Sequence, residues 1–292
     1  MTASPFTPQF YKRLQQLKIH TRKAFLGSRQ GSHMSIRKGH GLEFHDYRPY
    51  SPGDDFRHID WGVYGRSDRL YVRQFREEQD LNVAVLLDGS QSMAYPKDSG
   101  KFELAKNIAL ALGYVALTDG DAVTFSLLGK GNSPRFSGAR SIARAVRSFE
   151  DAAPDGAIDL LTEVRAAVAR LRMPGRCFLI SDFLSDTASI ISTLNFLRSR
   201  NFEISVLHIL APSELRLDLQ GSIRVTDAES GEEIELNLNA ESIKEYAIKL
   251  SEHVATLENF CHSTGIHHVL LSSDEQVSDI VLSKLPSVGI LK

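Results

Sequence analysis

The sequence predicts an α/β protein. A mostly parallel sheet carries helices on both faces, and a small β-rich lobe is added by the N-terminal segment and an inserted hairpin. Three observations predict it. From Asp80 onward, short apolar runs alternate with stretches whose apolar residues recur at helical spacing. Those runs are apolar throughout, as strands covered on both faces are. One interval, around Glu229-Ser230-Gly231, instead alternates apolar and polar residues, as a half-exposed antiparallel hairpin does.

In chain order, residues 8–26 read as a basic amphipathic helix with Phe10, Leu14, Leu17 and Phe25 as a thin apolar stripe for docking on the body. Residues 27–40 are rich in Gly, Ser, His and Lys and read as loop. The segment 41–79 is dense in Tyr, Pro, Gly and Asp and closes on LYVRQFREEQD, a strand. NVAVLLD is a buried strand. KFELAKNIALALGYVALTDG is a helix, with Leu104, Ile108, Ala111, Leu112 and Val115 at helical spacing and Gly120 at its end. Asp121 leads into the next strand, DAVTFSLLG, and is read as structural. A short helix is expected at 138–149. A second, at 158–172, carries Ile158, Leu161, Val164, Val168 and Leu171 on one face and is stopped by Pro174-Gly175. CFLISD is a strand, Ile190, Ile191, Leu194 and Leu197 mark a helix, and FEISVLHIL is the next strand. The hairpin occupies about 213–238. Residues 240–262 form a long helix, IHHVLLSS the last strand, and 274–285 a closing helix. Three segments follow: a basic helix and loop at 1–40, the lobe at 41–79, and the α/β domain at 80–285.

Composition supports a globular chain, with 42% hydrophobic and 24% charged residues. No apolar run reaches the ~18 residues of a membrane span, and the N-terminus lacks the apolar core of a secretory leader. Two distant cysteines, Cys177 and Cys261, read as free thiols in a reducing compartment, so a cytoplasmic location is expected. Charge is unevenly placed: residues 1–76 hold 14 Lys and Arg against six Asp and Glu, although the chain totals −2. Such an arm can contact nucleic acid or an anionic membrane surface, or neutralise an acidic body or partner. Aromatics are not interleaved with the arginines as base stacking requires.

Two strands end in carboxylates, Asp88 and Asp182, where ligands bind in open α/β sheets. Asp88 is followed by hydroxyls at Ser90 and Ser92. These oxygens suit a hard cation such as Mg²⁺. They equally suit a helix-capping loop that holds no metal.

Asp88-Gly89-Ser90-Gln91-Ser92 resembles the Asp-x-Ser-x-Ser signature of von Willebrand factor A (vWA) domains, the metal-ion-dependent adhesion site, and Asp182 in LISDF sits where that family places its second aspartate. Upstream, GLEFHDYRPYSPGDDFRHIDWGVYGRSDRLYVRQFREE resembles the hallmark segment of the bacterial family called domain of unknown function 58. The resemblance spans roughly residues 25–285. It implies a vWA-like, Rossmann-type sheet and association with MoxR-type AAA+ ATPases. It also implies Asp88, Ser90, Ser92 and Asp182 as the Mg²⁺ donor set. One donor is missing: the threonine of the related Gly-Gly-Thr-Asp-Leu loop is Ile158 in Gly156-Ala157-Ile158-Asp159-Leu160. Two expectations follow, a weak Mg²⁺ site completed by a partner's carboxylate, or a contact loop that works without metal.

Arg48, Asp54, Asp55, Arg57, Asp60 and Arg66 crowd a stretch containing Tyr47, Tyr50, Trp61 and Tyr64. They read either as a salt-bridged, aromatic-packed lobe or as a partner-binding surface formed by Arg48, Asp54, Asp55, Arg57, Asp60 and Trp61. His45, Asp46, His58 and Asp60 match no metal-ligand spacing.

The expected function is a non-enzymatic adaptor acting with a MoxR-type ATPase in assembly or maturation of a client protein. Two alternatives stand. One is a phosphoryl-transfer enzyme with Asp88 as nucleophile, although Ser90 stands where a second carboxylate is expected and no Walker loop or Gly-x-Ser-x-Gly elbow is present. The other is binding to nucleic acid or a membrane surface through the basic N-terminal segment.

Overall fold

The computed structural model describes residues 5–21, 42–77, 81–131, 134–171, 175–217, 221–226 and 233–292. The chain divides into two compact units, one made of residues 1–24 with 81–292 and the other of 25–80.

The larger unit is built on a six-stranded sheet. Its strands are β3 (Asn82–Leu87), β4 (Ala122–Leu127), β5 (Arg135–Ser137), β6 (Gly175–Ser181), β7 (Glu203–Leu210) and β10 (His267–Ser272), in the spatial order β10-β7-β6-β3-β4-β5. All neighbours run parallel except β5, which is antiparallel to β4. β5 is too short to leave a periodic signal and was not expected.

Alternation along the strands divides the core in two. Val83, Val85 and Leu87 of β3 face one cluster with Phe125, Phe178, Leu207 and Val269, while Ala84 and Leu86 face another with Cys177, Leu179, Ile204 and Val206. Helix α3 (Lys101–Thr118) covers the first face. Helices α5 (Leu160–Val168), α6 (Thr187–Ser199) and α8 (Ala240–Thr264) cover the second. α3 lies so close to the sheet that a Cβ on Gly113 would come within 2.1 Å of Phe125 Cζ.

The N-terminal helix α1 is shorter than its periodicity predicts, Pro8–Leu14. Phe10 and Leu14 are buried in the first core, as expected of the docking face. Beyond Gln15 the backbone pairs with the C-terminus instead: Lys18 and Lys292 exchange N–H···O bonds of 2.8 and 3.0 Å, and Ile19 bridges Leu291. Tertiary pairing here outweighs a weak local preference for helix. Phe25, the loop at 27–40 and the hairpin turn at Glu229-Ser230-Gly231 lie outside the described residues.

Ahead of the hairpin, Pro212–Leu215 forms a helical turn, α7, and the hairpin strands are β8 (Gly221–Thr226) and β9 (Glu233–Leu238). Short helical turns at Ile142–Glu150 (α4) and near the C-terminus, Val277–Asp279 and Leu285–Ser287, complete the unit. In the smaller unit β1 (Leu42–Pro49) pairs antiparallel with β2 (Tyr71–Glu77), and α2 (Trp61–Ser67) lies between them in sequence.

Candidate functional site

From β3 the chain crosses to β4 on one side, while β6 leads to β7 on the other. The strand order therefore reverses between β3 and β6, and the crevice at the carboxyl ends of those two strands is the natural ligand position. Asp88 and Asp182 lie there.

The loop after β3 is clamped from three sides. Asp88 N donates to Ile180 O at 2.9 Å, Asp155 N donates to Gly89 O at 2.8 Å, and Gln91 N donates to Gly156 O at 2.8 Å. Gly89 is required by close approach, because a Cβ there would stand 2.3 Å from Leu128 O. Asp88 turns back on its own loop, with Oδ1 accepting from Ser90 N at 2.8 Å, while Oδ2 accepts from the Ser181 hydroxyl. Ser90 and Ser92 hydroxyls are hydrogen-bonded to each other at 3.0 Å. Asp88 and Ser90 are buried, and Gln91 and Ser92 are half-exposed. Burial and the neighbouring Asp182 charge raise the Asp88 pKa above the ordinary carboxylate value.

Asp182 faces Lys101, the first residue of α3. Lys101 Nζ donates to Asp182 Oδ2 at 2.9 Å and to Glu214 Oε1 at 2.7 Å, with its side chain fully buried. Glu214, on α7, is held by Ala211 N, which donates to Oε2 at 2.7 Å, and burial raises its pKa against the lowering effect of Lys101. Phe183, next to Asp182, has φ 47°, a strained backbone for a bulky residue. Its N–H donates to Ser181 Oγ at 2.9 Å and its carbonyl lies 2.7 Å from His253 Nε2.

The four sequence-predicted donors are thus gathered at one strand-end crevice. Three members were missed: Ser181, Lys101 and Glu214. Lys101 carried a signal, since a cation at a helix N-terminus opposes the helix dipole and calls for anionic neighbours. Glu214 carried none, because its sequence reads as the start of the hairpin.

A divalent cation needs several oxygen donors, and those gathered here are engaged with protein partners. Both Asp88 oxygens accept hydrogen bonds, and one of the two serine hydroxyls donates to the other. Asp182 is paired with an ammonium. Ile158 packs toward Gly129, where its Cγ2 would stand 2.9 Å from an added Cβ, and Asp159 caps α5 by accepting from Thr162 N at 2.6 Å. Among the described residues no three His, Cys, Asp or Glu side chains converge as a metal-binding group.

Behind the crevice His208 of β7 is buried against Phe183, and its Nδ1 lies 3.3 Å from His268 Nε2. Burial, then the His268 and His253 charges, push its pKa down to about 3. The unfolded chain therefore binds this proton more readily. Stability should be full above about pH 6.5 and fall by roughly 1.4 kcal/mol per pH unit as pH drops toward the folded value. Urea midpoints at pH 7.5 and 5 for wild type and His208→Gln check this, and an unchanged slope in the variant would refute it.

In the smaller unit the charged residues pair locally. Arg48 bonds Asp54 and Arg57 bonds Asp55, each at 2.7 Å. Asp60 caps α2 by accepting from Gly62 N and Val63 N, and it also accepts from the Tyr47 hydroxyl at 2.8 Å. Trp61 and Phe56 are left 60% and 64% exposed, so aromatic rings are accessible on this surface beside the exposed Arg57. His45 and Asp46 side chains lie outside the described residues. Cys177 and Cys261 are free and buried, with both thiol pKa values pushed up to about 12 by burial. Among the described residues no helix is long and apolar enough to cross a membrane.

The family model described as "Protein of unknown function DUF58" matches residues 46–256. Uncharacterized protein Rv1480 of Mycobacterium tuberculosis and Uncharacterized protein Mb1516 of Mycobacterium bovis are each 25% identical over 284 residues, covering 94% of this chain and 88% of theirs. Among solved structures, the conserved hypothetical protein BatB from Bacteroides thetaiotaomicron is similar at 15% identity and TM-score 0.41, over 71% of this chain and 98% of that one. The SpRpn10 VWA domain is similar at 12% identity and TM-score 0.42, over 70% and 94%.

Proposed function

This chain belongs to the family of the Protein of unknown function DUF58, and on that premise we propose that it is an adaptor whose strand-end loop docks a partner protein. The observation that carries this reading is the clamped Asp88–Ser92 loop at the reversal point of the sheet, with Gln91 and Ser92 half-exposed and Leu184, beside Asp182, 44% exposed. Buried oxygens fix the loop, while its accessible rim mixes polar and apolar groups, as protein contacts do.

The partner we propose is a MoxR-type AAA+ ATPase, with a client protein assembled or matured by the pair in the cytoplasm. Contact without a resident metal is the reading the donor set favours. Asp88 as a phosphoryl-accepting nucleophile is disfavoured by its burial at 5% exposure. Magnesium-dependent turnover of a phosphate ester, lost in Asp88→Asn, would bring that alternative back.

The test is binding of the purified full chain to the AAA+ ATPase encoded nearest to its gene. Leu184→Glu should weaken binding at least about tenfold, a change of roughly 1.4 kcal/mol, with an unchanged circular dichroism spectrum. If Leu184→Glu binds normally and Trp61→Ala does not, the contact lies on the smaller unit. If wild type does not bind, the ATPase assignment fails.

A further inference from the structure

We propose that the exposed face of α4 and the cavity beside it form a docking surface for an acidic protein segment carrying one aromatic side chain. The ring enters the cavity, and the flanking carboxylates meet the arginines of α4. The inference rests on the adaptor reading above and names the chemistry of the segment that docks.

A half-open cavity of about 240 Å³ lies where the carboxyl end of β4 meets the end of α4. Phe125, Leu127, Pro134, Phe149 and Ala152 form its apolar walls. An apolar cavity of roughly 150 Å³ already holds a benzene ring, so this one has room for a phenol or an indole. The Phe125 and Phe149 rings lie 5.0 Å apart at 58°, a wall against which a third ring packs edge or face on. The cavity adjoins the strand-end loop. A Cβ on Gly89 would stand 3.1 Å from Leu127 Cδ1, and Asp155, whose N–H donates to Gly89 O, is paired at 2.7 Å with Lys130 in the cavity lining.

Arg140, Arg144 and Arg147 follow at intervals of four and three, so they share one face from the turn Ala139–Ser141 into α4. All three are exposed, while Ala145 and Phe149 on the packed face are buried. Ser148, one turn after Arg144, lines the cavity, so the arginine face runs to its mouth. Arg147 Nε donates to Ala143 O at 3.3 Å, and among the described residues no carboxylate pairs with the three guanidinium groups. Against these and Lys130 stand Glu150, Asp151 and Asp155, so the patch is positive.

That sign is local. Residues 77–292 hold 20 Lys and Arg against 30 Asp and Glu. A long polyanion such as DNA, or a flat anionic membrane, meets the acidic remainder of the body. A short acidic segment meets only the patch, since charges farther than ~8 Å are screened at physiological salt. The cavity adds what a polyphosphate cannot use, an apolar slot for a single side chain. Aromatic anchors in such pockets carry most of the binding energy of protein contacts.

The experiment is fluorescence anisotropy of a dye-labelled peptide, one Trp flanked on both sides by Glu, titrated with the full chain. Control peptides replace Trp by Ala, or Glu by Lys. Wild type should bind the Glu–Trp peptide at least about tenfold more tightly than either control. Arg140→Gln/Arg144→Gln/Arg147→Gln should lose at least about tenfold with an unchanged circular dichroism spectrum. Ala153→Phe, at an exposed residue of the cavity lining, should lose a similar factor by filling the slot. Added salt should weaken wild-type binding more than that of the triple variant.

Equal binding of the three peptides, or none, would overturn the proposal, as would a triple variant that binds like wild type. Single-stranded DNA or phosphatidylserine vesicles bound in preference to the peptide, and lost in the triple variant, would assign the arginines to a polyanion instead. The probe contains no ATPase, so the two readings fail separately. Peptide binding without ATPase binding keeps this surface and removes that partner, and ATPase binding without peptide binding does the reverse.

Discussion

Replacing Lys101 by methionine in metal-free buffer is expected to lower stability by about 3–5 kcal/mol, the usual loss when one partner of a buried ion pair is removed. Methionine keeps most of the side-chain volume, so the effect is electrostatic rather than a cavity. The ammonium is wholly buried, Asp182 is 2% exposed and the Glu214 side chain 14% exposed, so water cannot replace it. Lys101 also ties the start of α3, the end of β6 and the α7 turn together, and its loss should loosen all three. Guanidinium denaturation at pH 7.5 measures the deficit. The deficit should shrink at pH 5, because burial raises the Glu214 pKa and the variant removes the ammonium that opposes it, so Glu214 takes up a proton more readily in the folded variant than in the unfolded chain. A variant as stable as wild type would mean that the two ion pairs contribute nothing net.

At the other end of the same sheet, Arg176→Met should lose a similar amount, about 3–5 kcal/mol. Arg176 is fully buried at the start of β6, bonded to Glu203 across the β6–β7 register and to Ser205 Oγ at 2.9 Å. Glu203 is 7% exposed, so the substitution strands a buried carboxylate. Adding Glu203→Leu should recover most of the loss, since an apolar pair of similar volume avoids the desolvation of both charges. This substitution should leave partner binding unchanged, because it acts at the amino ends of the strands, away from the strand-end loop. A double variant no more stable than Arg176→Met, or weakened partner binding, would contradict this account.

The strand–helix alternation made the sheet legible in advance. In β3 the period-two pattern already assigns Val83, Val85 and Leu87 to one face and Ala84 and Leu86 to the other, and burial on both faces follows from an unbroken apolar run. The start of α1 was legible from its apolar spacing, but its end was not, because Leu17 and Ile19 continue an apolar pattern while the backbone pairs with residues 290–292. β5 was invisible for the opposite reason, since three residues carry too little periodicity to register.

The site divides along the same line. Asp88, Ser90, Ser92 and Asp182 were readable because each sits at a strand end, where local sequence alone fixes position relative to the sheet. Lys101 and Glu214 lie 113 residues apart, and their meeting depends on how α3 and α7 pack around the ends of β6 and β7. No local pattern encodes such a distance. The sequence by itself thus determined which chemistry stands at the ends of the strands. Only the tertiary structure decided that a buried ammonium answers it, because desolvation and pairing are properties of groups brought together by folding.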